Sequence, residues 1–282
     1  MGSITPNQNP LCHTIGLTIA PRFQARRIFS TASIARQSTS LRRSIPGRRP
    51  AEKREANVND SEMMGCNLTR NITESGFALI SQYRPNADIV DVANEFGDPL
   101  TPWEGGLVQT LVPREKSAPN TYSGNYGLGR FPFHTDLAHW PRPPRYLLLR
   151  CLIGYDDVPT LLIDGRALVD AISRDTLARA IFKPRRPRDG SVALIRLLER
   201  TSEGTDLLRW DEIFLRPASK VGDATAPQIR DWIAKCAPLS VALIRRGDTL
   251  IIDNWRMLHA RSPIPLGREG RSIERVYLGA LH

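Results

Sequence analysis

The stretch GRFPFHTDLAHWPRPPRYLLLRC, residues 129–151, places His134 and Asp136 two positions apart, just before the apolar run 146–153. On a β-strand, residues two apart point to the same face of the sheet. If this stretch is extended, the imidazole and the carboxylate can reach one metal ion together. The sequence therefore predicts two ligands of a metal site here.

A third ligand has to come from elsewhere in the chain. His259 is the natural candidate, because it lies in IIDNWRMLHARSPI, residues 251–264, just past a strongly apolar strand. Two histidines and one carboxylate are the ligand set of non-haem iron(II) oxygenases, which leaves positions open for cosubstrate and oxygen. An alternative is a zinc set within HTDLAH that includes His139, but a structural role for His139 is favoured.

Two arginines follow His259 near the end of the chain. Arg271 and Arg275 are four positions apart, on or next to the predicted last strand. A 2-oxoglutarate cosubstrate needs a buried guanidinium to hold its far carboxylate through two hydrogen bonds, and arginine suits this better than lysine. Thr160 is the first residue of another predicted strand, and its hydroxyl could donate a hydrogen bond to the same carboxylate.

Strand patterns dominate the chain after its first residues. The predicted strands cover 74–83, 106–113, 146–153, 160–165, 191–199, two strands about a Gly-Asp turn within 240–254, and 272–281. The predicted helices cover 87–100, closed at Gly97, then 166–182, and 226–236 with Thr225 as N-cap and Pro227 in the first turn. This order indicates a mainly β fold, a double-sheet core with helical additions.

Three segments together resemble the taurine dioxygenase/clavaminate synthase-like family of Fe(II)- and 2-oxoglutarate-dependent oxygenases. They are FHTDLAHWPRPPRYLLLRC, DNWRMLHARSP and the closing RSIER, and SGFALI and VANEFGDPL resemble that family's first strand and helix. The resemblance covers about residues 74–282. It implies a double-stranded β-helix, or jelly roll, with the metal at one mouth of the barrel.

The resemblance also assigns roles to individual residues. It implies that His134, Asp136 and His259 are the catalytic metal ligands. It implies that Arg271 and Thr160 hold 2-oxoglutarate, and that Arg275 faces the substrate or supports the cosubstrate. The amino-acid hydroxylase branch of the family often has Glu where this chain has Asp136, so the substrate class does not transfer from it.

The expected function is therefore that of a dioxygenase. With Fe(II), 2-oxoglutarate and O₂ it would oxidise a small organic substrate, anionic or amino-acid-like, and release succinate and CO₂. Hydroxylation or desaturation of a larger secondary metabolite is the alternative substrate class. Trp210 and Asp211 are weaker candidates for its substrate pocket. The alternative is a non-catalytic β-barrel binding module of the same fold, against which the intact ligand positions argue.

The positive charge of the chain is concentrated at its start. The 282 residues carry a net charge of +10, and the eight arginines of residues 1–51, with no acid among them, leave only about +2 for the rest. A nucleic-acid partner is therefore not expected. Residues 1–50, rich in Arg, Ser and Thr, are predicted to be a mitochondrial transit peptide, with a plain basic tail on a cytoplasmic protein as the alternative. Residues 51–65 are a predicted linker, 66–282 the oxygenase domain, and no run of eighteen apolar residues suggests a membrane span.

Overall fold

Two antiparallel sheets form the centre of the protein, which a computed structural model describes over residues 68–102, 106–186 and 192–282. The strands are β1 (Phe77–Ile80), β2 (Gly97–Leu100), β3 (Gln109–Leu111), β4 (Tyr146–Ile153), β5 (Thr160–Asp164), β6 (Ile181–Pro184), β7 (Ile195–Arg196), β8 (Leu198–Arg200), β9 (Asp206–Leu208), β10 (Leu215–Pro217), β11 (Leu239–Val241), β12 (Thr249–Asp253), β13 (Met257–Arg261) and β14 (Ser272–Leu281). The helices are α1 (68–75), α2 (Ile89–Phe96), α3 (Tyr122–Tyr126), α4 (Gly165–Ile172), α5 (Arg174–Arg179) and α6 (Lys220–Lys235). The predicted mainly β core with helical additions is confirmed.

The major sheet has the order β1-β12-β4-β14-β2, with β3 also paired to β14, and the minor sheet has the order β11-β5-β13. Side chains on β4 alternate between two hydrophobic clusters. Leu147, Leu149 and Cys151 pack in a cluster that includes residues of the minor sheet, whereas Tyr146 and Leu148 pack in a second cluster with α2. This period of two is what a strand buried on both faces requires.

Helix α2 covers the outer face of the major sheet. Its buried residues follow the helical spacing of one apolar face: Ile89, Val92, Ala93 and Phe96. The Asp88 side chain caps its first turn by accepting a hydrogen bond from the backbone N–H of Val90 at 2.7 Å.

The segment between β5 and β11 builds a separate layer against the minor sheet. Helices α4, α5 and α6 pack there with the small sheets β10-β6-β7 and β8-β9. Their apolar side chains join Leu161, Ile163 and Leu258 of the minor sheet in one cluster centred on the buried Trp210. Strands β5 and β13 of the minor sheet are thereby buried on both faces.

Several predicted element bounds are wrong. The 166–182 pattern is not one helix, because the backbone turns at Ser173 (φ 86°), which separates α4 from α5, and 181–184 is strand. Helix α6 begins at Lys220 rather than at 226, because Ser219 is the N-cap and accepts from Gly222 N at 3.0 Å. The Thr225 hydroxyl instead donates to Val221 O inside the helix at 2.7 Å.

The strand predicted over 106–113 is shorter than expected and forms only β3, and the one predicted over 191–199 forms β7 and part of β8. The predicted basic segment 1–50 and linker 51–65 lie outside the described residues. Within the described ranges, no helix combines the length and the apolar composition needed to cross a membrane.

One buried arginine ties the major sheet to the loop that leads into α2. Arg150 on β4 is 1% exposed, and its guanidinium donates to Tyr83 O at 2.8 Å, Arg84 O at 2.6 Å and Thr249 Oγ1 at 3.1 Å. Because Arg150 satisfies these acceptors, it holds the segment before α2 against the sheet.

Replacing Arg150 by Met should lower the free energy of unfolding by about 3 kcal/mol. The loss arises because buried carbonyls lose charge-assisted hydrogen bonds and no water replaces the donor. Urea denaturation followed by circular dichroism measures it. The exposed Arg196 on β7 offers the control, since Arg196→Met should change the same quantity by less than about 0.5 kcal/mol. Equal effects of the two changes would contradict this role of Arg150.

Candidate metal centre

A short backbone bridge brings the two predicted histidine ligands together. His134 N donates to His259 O at 3.0 Å, and His259 N donates to His134 O at 2.9 Å. The bridge extends the minor sheet beyond β13. Residues paired directly across antiparallel strands place their side chains on the same face, and both imidazoles line one cavity.

Asp136 reaches the same point because Asn254 holds its backbone. Asp136 N donates to Asn254 Oδ1 at 2.7 Å, and Asn254 Nδ2 donates to Asp136 O at 3.0 Å. The Asp136 Oδ1 atom lies 3.3 Å from Nε2 of His134 and 3.3 Å from Nε2 of His259. The three ligand atoms lie within 4.8 Å of one another, and all three residues are buried.

The hydrogen bonds and charges of these three side chains suit a divalent metal ion. His134 Nδ1 lies 2.8 Å from Pro132 O, so its N–H donates there and Nε2 faces Asp136. Burial lowers the pKa of His134, but the hydrogen bond and the charge of Asp136 raise it above its usual value. Burial, together with the neighbouring His134, lowers the pKa of His259, which favours the neutral imidazole. Burial alone raises the pKa of Asp136, but Arg275 and the two histidines hold it well below its usual range. A divalent cation beside the Asp136 carboxylate would take the place of the proton on His134 Nε2.

The second oxygen of the Asp136 carboxylate is already engaged. Its Oδ2 accepts from Arg275 Nη1 at 2.8 Å and from the Tyr277 hydroxyl at 2.8 Å. Arg275 also donates through Nε, at 3.0 Å, and through Nη2 to Gln109 Oε1, which β3 places opposite it. We call Arg275, Tyr277 and Gln109 the carboxylate clamp. It leaves Oδ1 alone available, so Asp136 is set up to bind a metal through one oxygen.

Arg271 is a buried cation without a counter-ion. It is 6% exposed, and among the described residues no carboxylate pairs with it and no acceptor lies within hydrogen-bond distance of its Nε. Burial lowers its pKa to about 10. A buried unpaired charge is costly, so this position fits an anionic ligand. Thr160 is also buried and lines the same cavity. The two residues predicted to hold the far carboxylate of 2-oxoglutarate therefore lie in one cavity.

The cavity that contains these groups has a volume of about 840 Å³. Tyr122 forms one wall and stacks on the His134 ring, with centroids 4.2 Å apart. The Tyr122 hydroxyl donates to Asp211 Oδ2 at 2.7 Å. Of the two weaker pocket candidates, Asp211 lines the cavity, whereas Trp210 is packed in the hydrophobic cluster behind it.

His139 also lines the cavity, but it does not belong to the group of ligand atoms. Its ring lies 5.7 Å from that of Phe214. The sequence did not predict roles for Gln109, Tyr122 or Tyr277. Of these, only the position of Tyr277 could have been predicted, since it follows Arg275 by two residues and must share its face of β14.

Solved structures with a similar fold are non-haem iron oxygenases. Asparagine oxygenase (AsnO) has a TM-score of 0.60 at 18% identity over 77% of this chain and 78% of its own. OrfP, a non-haem iron oxygenase in complex with Fe, succinate and (3S)-hydroxy-L-Arg, has a TM-score of 0.57 at 20% identity over 78% and 79%. PvcB from Pseudomonas aeruginosa has a TM-score of 0.56 at 18% identity over 78% and 82%.

At such identities the likeness establishes the fold alone, and it confirms the predicted jelly roll. No protein-family model matches the sequence, and no curated protein does.

The three ligand residues can be tested against His139. His134→Ala or His259→Ala should abolish stoichiometric Fe(II) binding, because each removes one of the three donors that the described residues bring together. His139→Ala should leave binding within about a factor of three of the unchanged protein, since its ring lies outside the donor set. Titration with Fe(II) under anaerobic conditions measures this, and loss of iron from the His139→Ala protein alone would refute the ligand set.

The carboxylate clamp makes a second prediction. Tyr277→Phe removes one donor to Asp136 Oδ2 and should weaken Fe(II) binding by about 10- to 100-fold, as the loss of partners that orient metal ligands typically does. Competition with a chromogenic chelator measures the dissociation constant. Tyr126→Phe, at an exposed position on α3, is the matched control and should leave it unchanged. Identical constants for both variants would show that the clamp does not orient Asp136.

Proposed function

We propose that the protein is an Fe(II)- and 2-oxoglutarate-dependent dioxygenase that oxidises a small organic substrate and releases succinate and CO₂. One observation carries this proposal. The buried set of His134, Asp136 and His259 shares a cavity with Arg271, a buried guanidinium that lacks a counter-ion. A metal site alone would not require an unpaired buried cation beside it, whereas a metal site with an anionic cosubstrate would.

Each residue has a defined part in the proposed reaction. His134 Nε2, His259 Nε2 and Asp136 Oδ1 would hold Fe(II), which would supply the activation of oxygen with 2-oxoglutarate as cosubstrate. Arg271 and Thr160 would hold the far carboxylate of 2-oxoglutarate. Because the carboxylate clamp engages Asp136 Oδ2, Asp136 would offer the metal one oxygen only and leave coordination positions for other ligands.

The walls of the cavity protect the reaction from side chemistry. Leu147, Leu149 and Ile273 line it with apolar atoms, and Tyr122 covers the ring of His134. Apolar walls exclude water from the reacting groups and strengthen the electrostatic contacts made there.

Arg275 was predicted to bind the substrate, and its present contacts make a positioning role the stronger proposal. Its guanidinium donates to Asp136 on one side and to Gln109 on the other. A substrate carboxylate could bind Arg275 in the two-pronged manner only by replacing Gln109. We therefore propose that the main role of Arg275 is to orient Asp136. Binding of the substrate, by the guanidinium nitrogens that now contact Gln109, is its second proposed role.

A small-molecule substrate agrees with the ligands of two neighbours. The asparagine oxygenase structure contains 2S,3S-3-hydroxyasparagine with succinate, and the OrfP structure contains (3S)-hydroxy-L-Arg. The alternative, a non-catalytic binding module, would need neither a complete ligand set nor an unpaired buried Arg271, so the dioxygenase is favoured.

The cosubstrate assignment predicts unequal effects of two arginines. Arg271→Ala should raise the KM for 2-oxoglutarate by at least about 30-fold, because a buried two-pronged ion pair contributes about 2–5 kcal/mol. Arg275→Ala should raise this KM less and weaken Fe(II) binding more. Succinate release by the purified chain, with Fe(II) and 2-oxoglutarate, measures the KM. If the unchanged protein bound no iron and released no succinate, the proposed function would be refuted.

We also propose that residues 1–50 direct the protein to mitochondria, on the strength of their arginine-rich, acid-free composition. A fluorescent reporter fused to residues 1–60 should enter mitochondria. Changing Arg26, Arg27 and Arg36 to Glu should stop the import, because the presequence would lose its positive charge. A reporter that stays in the cytosol would leave this segment as a plain basic tail.

A further inference from the structure

Among the described residues, six arginines and two aspartates line the cavity, and three of the arginines already have a role in it. Arg271 is proposed to bind 2-oxoglutarate, and Arg275 is proposed to orient Asp136. Arg261 donates to Gly127 O at 2.6 Å and Gly129 O at 2.7 Å, and its guanidinium lies over the Phe131 ring. These contacts use Arg261 to hold the neighbouring loop.

The other three arginines have no such contacts. Arg114 lies on the loop after β3, and Arg185 and Arg186 lie on the loop after β6, so two separate parts of the chain bring them to one cavity. All three are exposed, and none has an ion-pair partner among the described residues. We call these three side chains the arginine rim.

The charge of the cavity does not vanish when the proposed cofactors bind. Among the lining residues that the structure describes, the six arginines exceed the two aspartates by four formal positive charges. Fe(II) and doubly negative 2-oxoglutarate cancel each other, so the loaded cavity keeps this excess. Arg114, Arg185 and Arg186 supply most of it, and a cleft of one sign concentrates ligands of the other sign.

The cavity is also larger than the proposed cosubstrate requires. Its volume of about 840 Å³ is in the upper part of the range for pockets that enclose a whole drug-sized ligand. A small diacid such as 2-oxoglutarate fills a minor part of it. Phe131, Phe214 and Trp140 line the remaining space, so an apolar or aromatic skeleton fits between the metal ligands and the arginine rim.

We propose that the arginine rim is a subsite for a phosphate ester on the end of the substrate that is not oxidised. Guanidinium groups bind phosphate through paired hydrogen bonds, and three of them match a dianion better than they match a single carboxylate. The substrate class is then a phosphorylated compound with an apolar or aromatic skeleton. This inference rests on the proposed function, whose oxidation site it extends by a second point of attachment.

The test uses the full chain loaded anaerobically with Fe(II) and 2-oxoglutarate, so that Arg271 is occupied. Calorimetric titration with phenyl phosphate, at physiological ionic strength, measures the affinity of the arginine rim for a phosphate ester. Phenyl phosphate should bind at least about tenfold more tightly than phenol. Arg185→Gln/Arg186→Gln, and separately Arg114→Gln, should each weaken phenyl phosphate about tenfold and leave phenol unchanged.

The matched control is Arg216→Gln/Arg230→Gln, two exposed arginines that do not line the cavity. Like Arg185→Gln/Arg186→Gln, this change removes two positive charges, and it should leave the affinity for phenyl phosphate unchanged. Equal losses in the rim and control variants, or equal binding of phenyl phosphate and phenol, would overturn the proposal. So would tight binding of a single-stranded oligonucleotide without binding of phenyl phosphate.

The visible absorption that appears when 2-oxoglutarate chelates Fe(II) is recorded in the same samples. Its presence in the rim variants shows that they are folded and loaded. Its absence in the unchanged protein would refute the proposed dioxygenase, whereas the calorimetric comparison of variants would still report on the rim.

Discussion

The two backbone hydrogen bonds between His134 and His259 determine where the metal ligands can be. They require β13 to hold its register against β5, because His259 shares β13 with Leu258 and Ala260, which are packed in the cluster on the other face of the minor sheet. A shift by one residue would turn His259 into that cluster and expose Leu258 to the cavity. The apolar packing behind the minor sheet therefore fixes the position of an imidazole in front of it.

The two sheets contribute different chemistry to the cavity between them. The minor sheet and its extension carry the donors, His259 and His134, whereas β14 of the major sheet carries Arg275 and Tyr277, with Arg271 just before it. The period of two on β14 turns all three toward the cavity while Val276 and Leu278 pack against the helices. The candidate metal ligands and the two arginines thus line one cavity.

The sequence predicted the site better than it predicted the helices, for physical reasons. The spacing of His134 and Asp136 is a local strand property, and the run before His259 is apolar enough to indicate a buried strand. The contact of Arg275 with Gln109 depends on the pairing of β3 with β14, which no local pattern encodes. Thr225 was the predicted N-cap of α6, whereas Ser219 caps the helix six positions earlier, and the helix packs against α4 and α5.

The contacts that assemble the ligand set also order events in folding. Asp136 and Asn254 are separated by 118 positions in the chain, and the His134–His259 bridge spans a similar distance. Contacts of such long separation close large loops and form slowly. The three candidate ligands can meet only after β13 has joined the minor sheet, so a nascent chain that ends before β13 lacks one of them. Binding of the proposed Fe(II) would thereby be a late event in folding.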